Sequence, residues 1–280
     1  MKRLSMILIA LFFSAAGNGY WQPAAFAQQV VSLSSSAQVA EAFGREIVDD
    51  FIRSTGLKVN LHITSSQTAV NRLKNGFADI ATSTRPMLYG DRESGYVEIP
   101  FCKDPLAVIV AANCPVDTLS REQLRMIFAG RISNWQEIGG VDLPITVVVP
   151  GETTGAYLNF KRQAMGHYPV KHDFMTPSST MDIVGVRHLP GAISFIAQGA
   201  VSGQTGVKTL AVDGKLSGDP GYAFYQVFYL VTKGKPTGLS RDVVNYALSE
   251  RGRAIMLKKG MVPVFPGSAP EQSKPYVEAM

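Results

Sequence analysis

Four short segments carry the residues best suited to chemistry, and all four are rich in serine and threonine. Ser34, Ser35, Ser36 and Gln38 form the first, and Ser65, Ser66, Gln67 and Thr68 the second. Thr82, Ser83, Thr84 and Arg85 form the third, and Thr153, Thr154, Gly155 and Ala156 the fourth. The chemistry they suit is recognition of an oxyanion rather than bond making. Small hydroxyl side chains donate hydrogen bonds and let the backbone approach closely. A helix start adds free N–H groups and a partial positive charge, so an anion lined this way needs no cage of full charges. Each segment also has a simpler reading, because Ser and Thr are favoured as helix N-caps. Arg85 is the one cation in these segments and reads either as an anion contact or as half of a structural ion pair. Asp79, just before the third segment, reads as a local packing or capping residue.

Catalysis has little to stand on. His62, His167, His172 and His188 are the only histidines, and none has metal-ligand spacing. They read as surface or structural residues, and Trp135 as a packing residue. No nucleophile elbow or zinc-binding histidine pair occurs, so the chain reads as a non-enzyme with no cofactor. Cys102 and Cys114 flank an apolar run expected to be one extended strand. At its two ends their sulfurs are too distant to bond, so both read as free thiols.

The elements that must position the four segments follow from hydrophobic period. Residues 30–33 read as a strand, 39–55 as one amphipathic helix, 57–63 as a strand, and a second helix begins near Thr68. Residues 78–81 form a third strand running into the third segment. Residues 97–100 and 105–112 read as two further strands. After Pro115 the pattern restarts, with a capping box at Ser120 and Gln123. A strand at 145–149 leads into the fourth segment and a helix to about 165, then a helix over 178–188 and a strand over 191–196. A strongly apolar strand follows at 225–232, and two helices close the chain. Alternating strands and helices imply an α/β fold whose sheets are mainly parallel and flanked by helices. Ligands in such sheets sit at the carboxyl ends of strands, where all four segments fall.

Two lobes follow, 28–108 with 228–264 and 109–227, joined by two crossing strands whose hinge permits closure. Residues 265–280 read as a flexible tail. At the other end, Lys2 and Arg3, an apolar run over 6–16 and the small-x-small pattern at 25–27 have the layout of a secretory signal peptide, residues 1–27. The run is shorter than the roughly 20 residues a membrane span needs. The whole chain has 27 basic and 22 acidic residues, a formal net charge of +5, and removing the signal lowers this by two. The basic residues are scattered, which argues against nucleic-acid binding.

The order of segments resembles the phosphate-binding proteins of bacterial ABC importers, the PstS type, over about residues 33–264. Residues 75–86, NGFADIATSTRP, are similar to that family's G-x-A-D-I-A-x-S-S-R-P. Residues 119–140, LSREQLRMIFAGRISNWQEIGG, resemble its L-T-x-E-Q-L-x-x-I-F-x-G-x-I-x-N-W-x-E-x-G-G. LPGAISF at 189–195 and LVTKGKPTGL at 230–239 match two further scaffold motifs. The resemblance implies a two-lobed periplasmic-binding-protein fold, a monomer in the periplasm, and capture of phosphate or a related oxyanion for an ABC permease. Together with the hydroxyl segments it gives a candidate ligand set of Ser35, Ser36, Gln38, Ser66, Ser83, Thr84, Arg85, Thr153, Thr154 and Gly155. Ser66 falls on a phosphate-contacting serine. Ser83, Thr84 and Arg85 fall on the S-S-R segment, where Thr84 takes a position that is Asp in some members. Gln38 falls near a family threonine contact. In the second lobe the family shows R-x-x-G-S-G-T. Here Pro150 replaces the arginine, Ala156 the final threonine and Thr154 the serine, while Gly155 is unchanged. An Arg–phosphate pair is charge-assisted and bidentate, so its loss implies weaker phosphate binding or another anion, unless Arg85, Lys161 or Arg162 compensates. The same departures leave open a sensing or accessory role with a different ligand or a protein partner.

Overall fold

The computed structural model describes residues 29–87 and 89–264. The expected signal peptide and the expected tail lie outside the described residues. The first half begins with β1 (Val30–Ser36), α1 (Ala37–Phe43), α2 (Glu46–Thr55), β2 (Lys58–Thr64), α3 (Ser66–Lys74), β3 (Ile80–Ser83) and α4 (Tyr89–Glu93). A long strand, β4 (Tyr96–Ala111), leads into the second half: β5 (Thr118–Leu119), α5 (Arg121–Phe128), β6 (Thr146–Pro150), α6 (Gly155–Phe160), β7 (Phe174–Thr176), α7 (Ser179–His188), β8 (Ala192–Ala197), α8 (Gln198–Val201) and β9 (Val207–Val212). The chain then returns through β10 (Tyr225–Lys233), α9 (Gly238–Leu248), α10 (Glu250–Lys258) and β11 (Val262–Pro263).

The strands lie in the order β2-β1-β3-β10-β4-β8-β6-β7, with β11 and β9 also on β4, and β5 on β9. Strands β2, β1 and β3 run parallel, as do β8, β6 and β7. The crossing strands are the antiparallel part: β10 opposes β3 and β4, and β4 opposes β8 and β9. Up to Pro105, β4 pairs with β10. From Leu106 onward it pairs with β8 and β9. The return crossing lies beside this switch, where the Leu106 N–H donates to the Phe224 carbonyl at 3.0 Å.

Each end of the sheet carries its own core. In the first half Phe43, Phe51, Phe101 and Phe228 pack between the sheet and its helices, with Ala69, Val70 and Leu73 on the opposite face. In the second half Phe128, Phe160, Phe195 and Trp135 form the larger cluster. The rings of Phe160 and Phe195 stack with centroids 3.7 Å apart, and the Trp135 indole N–H donates to the Gly191 carbonyl at 3.0 Å. Cys102 and Cys114 are free. Among the described residues no helix is long and apolar enough to cross a membrane.

Two local expectations are corrected. The helix expected over 39–55 is two helices, because Gly44 takes φ +59° and its N–H closes on the Ala40 carbonyl at 2.8 Å. The apolar period survives the break, since Phe43 and Phe51 both stay buried. The strands expected over 97–100 and 105–112 are one strand, β4. A register shift leaves Phe101 between the pairs Phe228–Cys102 and Tyr229–Pro100. That bulge accommodates a proline within a strand, a place prolines favour.

Candidate functional site

Four strand ends deliver the four segments, and the structure separates the hydroxyls that cap helices from those that do not. Ser65 is a cap: its Oγ accepts from the Thr68 N–H at 3.1 Å. Thr154 is another, accepting from the Tyr157 N–H at 3.2 Å at the start of α6. Ser36 precedes α1 but makes no side-chain cap, and Ser66 lies one residue past its cap. Those two hydroxyls turn toward one another instead.

The result is a continuous chain of polar contacts across the two halves. The Ser66 Oγ donates to the Ser36 Oγ at 3.2 Å and lies 3.2 Å from the Thr84 Oγ1. The Thr84 N–H donates back to the Ser66 Oγ at 3.2 Å. The Thr84 hydroxyl donates to the Gln38 Oε1 at 2.8 Å, and the same oxygen accepts from the Gly155 N–H at 2.7 Å. Ser36, Ser66, Thr84, Gln38 and Gly155 are thus brought together, with all but Ser66 buried. Gly155 is the point of closest approach. A Cβ there would lie 2.3 Å from the Thr84 Oγ1 and 2.8 Å from the Gln38 Oε1.

The other expected residues surround this chain. Ser35 and Thr82 share a hydrogen bond at 2.9 Å, and the Ser36 N–H donates to the Thr82 Oγ1 at 2.9 Å, knitting the ends of β1 and β3. The Ser83 Oγ donates to the Arg85 carbonyl at 2.7 Å and accepts from the Arg85 N–H at 3.0 Å. Arg85 lines a small cavity of about 20 Å³ with Ser66, Gln67, Ser83 and Asp91, and that aspartate is paired with Lys74. Thr153 is exposed and stands apart. Pro150 ends β6 against Thr176, and Ala156 is buried in the core of the second half. Asp79 does not cap locally as expected: its Oδ2 accepts from the Ser32 N–H at 2.7 Å, a contact 47 positions away on β1.

Sequence reasoning missed three residues beside this chain. The Glu41 Oε2 accepts from the Ser179 N–H at 3.1 Å, at the start of α7. Asp182 lies behind that contact, fully buried, and burial pushes its carboxyl up to about 8, with the Glu41 carboxylate adding to the rise and the Thr176 and Ser194 hydroxyls opposing it. Gly199, at the start of α8, lies so close to α1 that a Cβ would be 2.8 Å from the Ala42 carbonyl. The available signal was spacing: Gln38, Glu41 and Ala42 lie three and four residues apart on one helix face.

Ser66 is the hub of the first-half hydroxyls. Ser66→Ala should orphan the Thr84 N–H, and a buried donor left without a partner costs about 1–3 kcal/mol. Urea unfolding of the variant against the parent reads this directly. Equal midpoints would place Ser66 outside the network.

The family described as "PBP superfamily domain" matches residues 22–251. The phosphate-binding protein PstS of Bacillus subtilis (strain 168) is 26% identical over 218 residues, covering 74% of this chain and 71% of that protein. The crystal structure of a Clostridium perfringens protein with bound phosphate superposes with a TM-score of 0.74 at 23% identity, covering 85% of this chain and 100% of that one. That of an ABC-type phosphate transport receptor from Vibrio cholerae gives a TM-score of 0.62 at 24% identity, covering 83% and 99%. These matches bear out the resemblance drawn from the motifs and the two-lobed α/β fold expected from it.

Proposed function

Because this chain belongs to the PBP superfamily, we propose that it is an extracytoplasmic solute-binding protein that captures phosphate or a related oxyanion for an ABC importer. The observation that carries the proposal is the convergence of donors from both halves: the Thr84 hydroxyl and the Gly155 N–H meet on one oxygen, with Ser66 beside them. Such a site binds by hydrogen bonds and closure and performs no bond chemistry. Relatives named for phosphate binding and transport support the choice of solute.

The rest of the reading follows from this one. Residues 28–108 with 228–264 and residues 109–227 act as lobes. The change of strand partners at Pro105 and Leu106, beside Phe224, supports a hinge there. Residues 1–27 direct export to the periplasm, and a monomer hands its solute to a permease. With Pro150 and Ala156 where the PstS-type pattern has Arg and Thr, the fourth segment offers the anion an amide N–H but no cation, so Arg85 is the one positive charge in the four segments. The same two residues favour a second reading, in which the fold serves sensing or an accessory role. Titration calorimetry with phosphate, sulfate and small organic phosphates is the test. Heat of binding with at least one of them is expected, and no heat with any would end the oxyanion reading.

A further inference from the structure

Gln38 places a side-chain oxygen at the meeting point of the two halves. That oxygen accepts from a first-half hydroxyl, Thr84, and from a second-half amide, Gly155. An amide oxygen carries partial negative charge, and here it engages the two donors as one oxygen of an anion would. The same helix face makes two more contacts to the second half: Glu41 with the Ser179 N–H, and Ala42 against Gly199. One face of α1 therefore meets the starts of α6, α7 and α8.

We infer that Gln38 is a built-in stand-in for the solute: its carboxamide holds the halves together in the free protein and has to withdraw before an anion can bind. The identity of the competing solute rests on the oxyanion reading above, whereas the bridging role of Gln38 does not. A protein whose competent state is only fractionally populated binds with its intrinsic affinity reduced by that fraction. The bridge thus weakens solute binding and sets a threshold concentration for it.

Gln38→Ala and Gln38→Ser remove the carboxamide and leave small side chains. Each should bind inorganic phosphate at least tenfold more tightly than the parent, about 1.4 kcal/mol, by calorimetry. In small-angle X-ray scattering without anion, the parent should match its own phosphate-saturated profile. The two variants should be expanded and should contract on adding phosphate. Equal or weaker phosphate binding in both variants would overturn the inference and leave the oxyanion reading intact. So would contraction of the parent on adding phosphate, a result that needs neither variant to fold. If no protein gives heat with phosphate, sulfate or a small organic phosphate, the oxyanion reading fails. The scattering then decides alone: expanded variants sustain the bridge, and unchanged ones overturn it.

Discussion

Gly155→Ala should abolish closure and weaken anion binding while leaving each half folded. The added methyl would sit 2.3 Å from the Thr84 Oγ1, 2.8 Å from its Cβ and 2.8 Å from the Gln38 Oε1. Thr84 cannot swing aside cheaply, because it is β-branched, buried and bonded to Ser66 and Gln38. The clash can be relieved by separating the halves. Forced overpacking costs about 1–3 kcal/mol, roughly 5- to 150-fold in affinity. The scattering profile should expand, while far-ultraviolet circular dichroism stays that of the parent. An unchanged profile with unchanged phosphate binding would show that Gly155 is not the point of contact.

Asp182→Asn should stabilise the protein at high pH and lose that advantage on acidification, the reverse of the usual outcome of losing a native carboxylate. The Asp182 carboxyl titrates near 8 rather than at its ordinary 3.8, chiefly because burial disfavours the charge. A folded-state value above the unfolded one means that the group's contribution to stability is complete below about pH 4. That contribution is lost as the pH rises through about 8. Asp104, also fully buried, is pushed up to about 7 by burial, although the Gly199 N–H donates to it at 3.1 Å. It adds a loss of the same sign beside the β4 crossing. Asparagine cannot ionise, so the variant should exceed the parent on the order of 2–4 kcal/mol at pH 8.5. The gap should narrow steadily toward pH 4. Thermal melts of both proteins across that range check it, and a variant less stable than the parent at every pH would contradict it. Because the Glu41 carboxylate raises the Asp182 value, ionisation of Asp182 also sets two like charges against each other behind the Ser179 contact.

Much of the fold was legible because period and caps speak locally. The capping box at Ser120 and Gln123 forms as read, with Gln123 N–H to Ser120 Oγ at 3.0 Å and Ser120 N–H to Gln123 Oε1 at 2.8 Å. The alternation of strand and hydroxyl segment was enough to expect mainly parallel sheets flanked by helices. What failed was local geometry that period does not encode. Gly44 breaks a helix without disturbing its apolar stripe, and a bulge at Phe101 lets the chain run on past Pro100 as one strand. The candidate site was legible as residue types but not as partners. Nothing in the spacing of Ser65 and Ser66 says which one caps the helix and which turns into the cleft. Only the tertiary approach of Gly155 reveals that Gln38 meets donors from both halves. The juxtaposition of Asp182 with Glu41 was invisible for the same reason, the two being 141 positions apart in sequence and joined only by the packing of α1 on α7.

Anion capture depends on amide and hydroxyl donors from opposite halves sharing one anion-sized position. A crystal structure grown with saturating phosphate tests this most directly. The anion's oxygens should lie about 2.7–3.2 Å from the Gly155 nitrogen, the Thr84 Oγ1 and the Ser66 Oγ, with the Gln38 carboxamide moved away. Phosphate bound elsewhere, with Gln38 still accepting from the Gly155 N–H, would contradict it.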